Sequence, residues 1–124
     1  MKALSLRADY AWDVMTLEKT EEYRTWNTKH RGDLLICSTQ QKMRGFVSGH
    51  ALCVVSVTDV TYEPDDGIYT WFLDYRYPVV PFSVKGRQRL YNVDDALIKP
   101  AITGESTPEE KEAYRKTIFS LITF

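Results

Sequence analysis

Histidine and cysteine are scarce in this chain, two of each, and none of the four stands where metal chemistry needs it. Cys37 and Cys53 sit singly inside the apolar runs Leu34 to Cys37 and Ala51 to Val57. A free thiol in such a run behaves as a small buried hydrophobe, and neither has a C-x-x-C neighbour. His30 and His50 are equally isolated, so no metal site and no cofactor are expected. A dominant charge is missing too: 16 basic side chains face 17 acidic ones, for a formal net charge of -1. That excludes the global positive field that drives tight nonspecific binding to duplex DNA, so any nucleic-acid contact must come from a local patch. Long hydrophobic runs are absent, and the stretch from Met1 to Arg7 is too short for a signal peptide. No membrane contact and a cytoplasmic location are therefore expected.

What is present suits a folded domain. A chain of 124 residues is of ordinary domain size and hides roughly two-thirds of its unfolded surface on folding. Its apolar share, 44%, is far above that of disordered chains, and no linker, repeat or low-complexity tract divides it, so one domain over residues 1–124 is expected. Trp, Tyr and Phe are frequent, which serves either a β-rich core or a surface on which bases stack.

Periodicity predicts the elements. Ala3 to Leu6 reads as a short strand. From Asp9, apolar residues at Tyr10, Ala11, Val14, Met15 and Leu17 predict a helix ending near Glu18. Thr20 to Trp26 alternates as an extended segment, leading to a turn at Arg31-Gly32-Asp33 and a buried strand over Leu34 to Ser38. Gln40 to Gly49 reads as a loop. Ala51 to Tyr62, closed by a turn at Glu63 to Gly67, and Ile68 to Arg76 read as long strands, with Tyr69 and Trp71 sharing one face. Pro78 and Pro81 predict a bent edge segment, and Leu90 to Val93 a last short strand. Thr107, Pro108 and Glu110 then mark a helix start, with Tyr114, Ile118 and Leu121 on its docking face. Several strands in sequence, framed by helices, predict an α+β protein built on a small, mainly antiparallel β-barrel.

Two stretches carry candidate chemistry. On an extended segment Glu22 and Arg24 point to the same side, and Lys19 can bend toward them. A lysine, a carboxylate and an arginine so close together either form a solvated charged edge or hold a phosphate or acidic group. Lys85-Gly86-Arg87-Gln88-Arg89 is a second basic cluster. In it Gly86 allows close backbone approach, the arginines suit phosphate, and Gln88 suits a base edge. Lys42 and Arg44 join the same positive face if the fold gathers them.

These residues also carry a resemblance. The opening Met1 to Arg7, then Lys19-Thr20-x-Glu22-x-Arg24-x-Trp26, then Arg31-Gly32-x-Leu34-Leu35-Ile36, resemble the start of ASCH domains, whose signature is G-x-K-x-x-E-x-R. Lys19, Glu22 and Arg24 match that signature, whereas Leu17 stands at the glycine, which predicts a differently shaped turn into the motif. Pro81 to Gln88, followed by Tyr91, is similar to the family's V-K-G-x-Q segment. The likeness covers about residues 1–93 and leaves 105–124 as a helical extension, suited to contact with a protein partner.

The resemblance implies a PUA-like β-barrel with flanking helices and a charged cleft for RNA or a nucleotide-like small molecule. Arg24, Trp26, Lys85, Gly86, Gln88 and Tyr91 are the implied ligand-binding residues, with Trp26 or Tyr91 stacking on a base. Some members are ribonucleases or amidohydrolases acting on acylated cytidine, so an enzymatic alternative stays open, with Lys19, Glu22 and Tyr23 as its catalytic candidates. In the amidohydrolases a threonine follows the lysine by three positions; here Glu22 occupies that place.

Overall fold

The apolar runs form the centre of a sheet. Residues 1–124 are described by a computed structural model, and its elements are β1 (Lys2–Leu6), α1 (Ala8–Met15), β2 (Glu21–Arg24), β3 (Gly32–Ser38), β4 (Ala51–Glu63), β5 (Ile68–Pro78), β6 (Tyr91–Asn92), a short 3-10 turn (Asp95–Leu97) and α2 (Pro108–Leu121). The six strands make one sheet in the order β2-β5-β4-β3-β1-β6. Four of its five pairings are antiparallel; β1 and β3 run parallel. Register shifts at Ile36/Cys37, Val54/Val55 and Val57/Asp59 add local twist, and the sheet curls into an open half-barrel. The architecture is thus the expected α+β one.

Both faces of the central strands are covered, which is why β3 and the first half of β4 are apolar without alternation. The concave face packs Leu4, Leu34, Ile36, Leu52, Val55, Val57 and Trp71 against Ala11 and Val14 of α1 and Ile118 of α2. The other face packs Ala3, Leu35, Cys37, Ala51, Val54 and Val79 beneath Phe82, Val84, Tyr91 and Val93. The Pro78–Pro81 segment is hydrogen-bonded both to β4 and to the 99–101 stretch, since Val79 N–H donates to Leu52 O at 3.0 Å and Val80 N–H to Lys99 O at 2.8 Å.

The connection after β1 decides where the charged motif goes. The chain crosses through α1 to β2 at the far edge, then returns to lay β3 beside β1. Curling brings the far edge back, so that Arg24 Nη2 comes within 3.5 Å of Ser5 O. The parallel β1–β3 pair belongs to this crossover; no local periodicity announced it.

Two expectations need correction. The first helix ends at Met15, not near Glu18, because Thr16 caps it through Trp12 O and Leu17 turns the backbone to a φ of 68°. No turn occupies Arg31-Gly32-Asp33: Gly32 already pairs with Val57 as the first residue of β3. The terminal helix docks by the expected face, with Ile118 buried in the main core and Tyr114 and Leu121 packed around it. Thr107 and Glu110 form the expected capping box at its start. Beyond it, Ile122 and Thr123 bridge to Val47 and Arg44. No helix is long and apolar enough to cross a membrane.

Candidate ligand cleft

β6 pairs with β1 only at Lys2 and Ala3, so the outer edge of Leu4 to Leu6 opens toward the returning β2 edge. Between them lies a hollow of about 660 Å³. Leu4 and Ser5 form one wall, Arg24 and Trp26 the opposite one, Thr39 and Gln40 an end, and Lys85 to Arg89 the rim. The charged side chains in this lining are all cationic: Arg24, Lys85, Arg87 and Arg89. A nearly neutral protein therefore carries a local positive concavity.

Alternation along β2 turns Glu22 and Arg24 inward and Tyr23 outward. Glu22 is buried behind the wall and does three things. One oxygen lies 3.6 Å from Lys19 Nζ and accepts from Tyr23 N–H at 2.9 Å; the other lies 3.4 Å from Arg24 Nη2. It thereby shares one negative charge between the two cations and occupies a backbone donor on the open edge of the sheet. Lys19 is further engaged by the Tyr23 and Tyr10 rings, at 5.0 and 5.5 Å from their centroids. Arg24 is held loosely, by two long contacts that both use Nη2, and its buried Nε has no partner within the protein.

Trp26 meets the buried Trp71 edge to face, with centroids 4.9 Å apart, and Arg89 stacks over Trp26 at 5.2 Å. Trp71 Nε1 is the other buried side-chain polar atom without a partner. Arg89 adopts a φ of 61°, which a non-glycine residue takes at a cost, so the rim is strained where it reaches the indole. Gly86, at a φ of 70°, presses against Ser5, whose hydroxyl lies 2.6 Å from Tyr91 Oη. Burial pushes the Tyr91 phenol and the Cys37 thiol up, the thiol to about 11.

Of the residues singled out from the sequence, Arg24, Trp26, Lys85, Gly86 and Gln88 line the hollow together. Lys19 and Glu22, expected in the same cleft, lie outside its lining: Glu22 contacts Arg24, and Lys19 contacts Glu22. Two further placements differ from expectation. Tyr23 is exposed on the outer side with its hydroxyl on Glu21, because odd and even positions of a strand face opposite ways. Tyr91 lies outside the lining, where its hydroxyl braces Ser5. Lys42 and Arg44 do not reach the hollow either; Arg44 bridges to Thr123 instead. Ser5, Thr39 and Gln40 were missed. Ser5 left a signal, being the polar member of an apolar strand, whereas Thr39 and Gln40 left none.

Leu17 adopts a φ of 68°, a left-handed conformation that glycine takes without strain.

The family model of the ASCH domain matches residues 4–85. That span contains both walls of the hollow and stops at Lys85, leaving Gly86 to Arg89 and α2 outside it. A search of curated proteins found no significant match.

Proposed function

The chain belongs to the ASCH domain family, and from that premise we propose that it binds RNA or a nucleotide in the hollow between β1 and β2. The observation that carries this reading is a concavity with four cationic side chains, no acidic one, and an indole in its wall. Guanidinium groups pair with phosphate in two-pronged geometry, and an aromatic face accepts any base by stacking. Trp26 is already fitted for stacking, since Arg89 lies over its ring, and a planar base of similar shape competes for that face. Gln88 and Gln40 supply amide groups for a base edge; the Gln40 amide nitrogen is tied to Val84 O at 2.6 Å, which fixes its orientation.

Binding is supported over turnover by the position of the reactive candidates. Lys19 is engaged by Glu22 and two tyrosine rings, Glu22 is buried behind the wall, and Tyr23 faces away. Titrating short RNAs and mononucleotides while following tryptophan fluorescence tests the proposal. Saturable quenching that weakens at least tenfold in Arg24→Ala is expected. Unchanged fluorescence and calorimetry at millimolar ligand, or equal binding by the variant, rules it out.

A further inference from the structure

We propose that the hollow seats a terminal phosphomonoester, at the end of an RNA or on a free nucleotide, in preference to an internal phosphodiester. The inference rests on the nucleotide reading above and adds which part of the ligand goes in. It starts from an imbalance. Arg24 Nε and Trp71 Nε1 are the side-chain polar atoms left both buried and unpartnered in the molecule, and both are N–H donors. Arg24 lines the hollow; Trp71 does not, being fully buried with its ring edge-to-face against Trp26. Unpartnered buried donors are rare and costly, and at a cleft they mark where an acceptor belongs.

Charge points the same way. Arg24, Lys85, Arg87 and Arg89 confront the space without an opposing carboxylate in the lining. The single acid nearby, Glu22, lies behind Arg24 and divides its charge between that guanidinium and Lys19. An internal phosphodiester brings one negative charge and two free oxygens. A terminal phosphomonoester brings nearly two charges and three acceptor oxygens at neutral pH. Four cations and the spare Arg24 Nε–H match the second group better. Access favours it as well: the Arg24 side chain is only 27% exposed, recessed between Ser5 and Glu22, where a chain end enters more readily than a strand continuing on both sides.

The experiment compares one hexaribonucleotide carrying a 5′-phosphate, a 3′-phosphate or hydroxyls at both ends, together with adenosine and adenosine 5′-monophosphate, by calorimetry on the full chain. At least one phosphorylated hexamer should bind tenfold or more tightly than the hydroxyl-ended one, and Arg24→Lys, which keeps the charge but loses Nε–H, should shrink that ratio at least threefold. Phosphorus NMR on the unmodified protein gives a readout that needs no variant: the terminal resonance shifts on binding more than the internal ones. Tight binding of the monophosphate identifies a free nucleotide as sufficient; tight binding of the hexamer alone identifies an RNA end. If hydroxyl-ended and phosphorylated hexamers bind equally, terminal recognition is overturned while nucleotide binding stands. If none of the five binds, both readings fall.

Discussion

Gly86 and Ser5 meet so closely that a Cβ on the glycine would stand 2.6 Å from Ser5 Oγ. The contact joins the basic rim to β1, and Tyr91, bonded to the same serine hydroxyl, has its own hydroxyl 3.6 Å from that Cβ position. Gly86→Ala therefore suffers twice, from the clash and from a φ of 70°. It should cost roughly 1–3 kcal/mol and displace the rim. Urea denaturation of Gly86→Ala beside Ser5→Ala/Gly86→Ala separates the two causes, since only the steric part is relieved in the double variant. A stability of Gly86→Ala equal to the parent would refute the tight contact.

Leu17 offers the opposite case. More than half exposed at 60%, it gains little from packing while holding a left-handed backbone. Leu17→Gly should stabilise the protein by about 0.5–1 kcal/mol, the steric relief exceeding the added freedom of the unfolded chain. A shift of the urea midpoint to higher concentration at unchanged slope is the expected signature.

Glu22 is the buried counter-charge for two cations. Glu22→Gln leaves Lys19 and Arg24 without it and should lose about 1–3 kcal/mol, below the full value for a deeply buried pair because both partners keep some solvent. Ligand affinity should fall with it, since Arg24 loses its orientation. Tyr23→Phe, on the outer side, should change stability by less than about 0.5 kcal/mol and leave binding intact. Equal behaviour of the two variants would contradict the inward and outward assignment.

Alkali should unfold the protein. Burial raises Cys37 to about 11, Cys53 to about 12 and Tyr114 to about 12. Each group ionises at lower pH in the unfolded chain, so the stability tied to its neutral form is complete below the unfolded value and is lost as pH climbs toward the folded one. For the two thiols the loss spans about pH 9 to 12 and reaches about 2–3 kcal/mol apiece at pH 11. Urea midpoints at pH 8, 10 and 11 should decline accordingly, and a flat profile would count against the burial. At neutral pH both thiols should resist alkylation until the chain unfolds.

Ile118 ties the terminal helix into the concave core. Ile118→Ala should cost roughly 2–4 kcal/mol, and removal of residues 105–124 should leave a chain that no longer melts cooperatively. A truncated protein with unchanged melting would return the helix to the status of an appendage.

Much of this was legible before folding. Local rules sufficed for β1, β4, β5 and the cap of α2, because alternation, β-branched residues and Thr107-Pro108-Glu109-Glu110 act within a few positions. The same alternation put Glu22 and Arg24 on one side of β2, and the family motif was already spelled by Lys19, Glu22 and Arg24. The end of α1 was misplaced because Leu17 continues an apolar spacing while its backbone turns left-handed, a conformation that no side chain of that type announces.

The amino-acid order by itself determined which segments form strands and helices and which of them bury, and that a basic loop and a charged strand exist at all, since those properties follow from side-chain type and short-range spacing. Only the tertiary structure decided that they face each other. The crossover through α1 sends β2 to the far edge, and the sheet's curl, set by bulges and twist summed over all six strands, returns Arg24 to Ser5. Closure of that kind depends on distances between residues remote in the chain, which is why Arg24 became a wall of the hollow and Tyr91 a brace behind it.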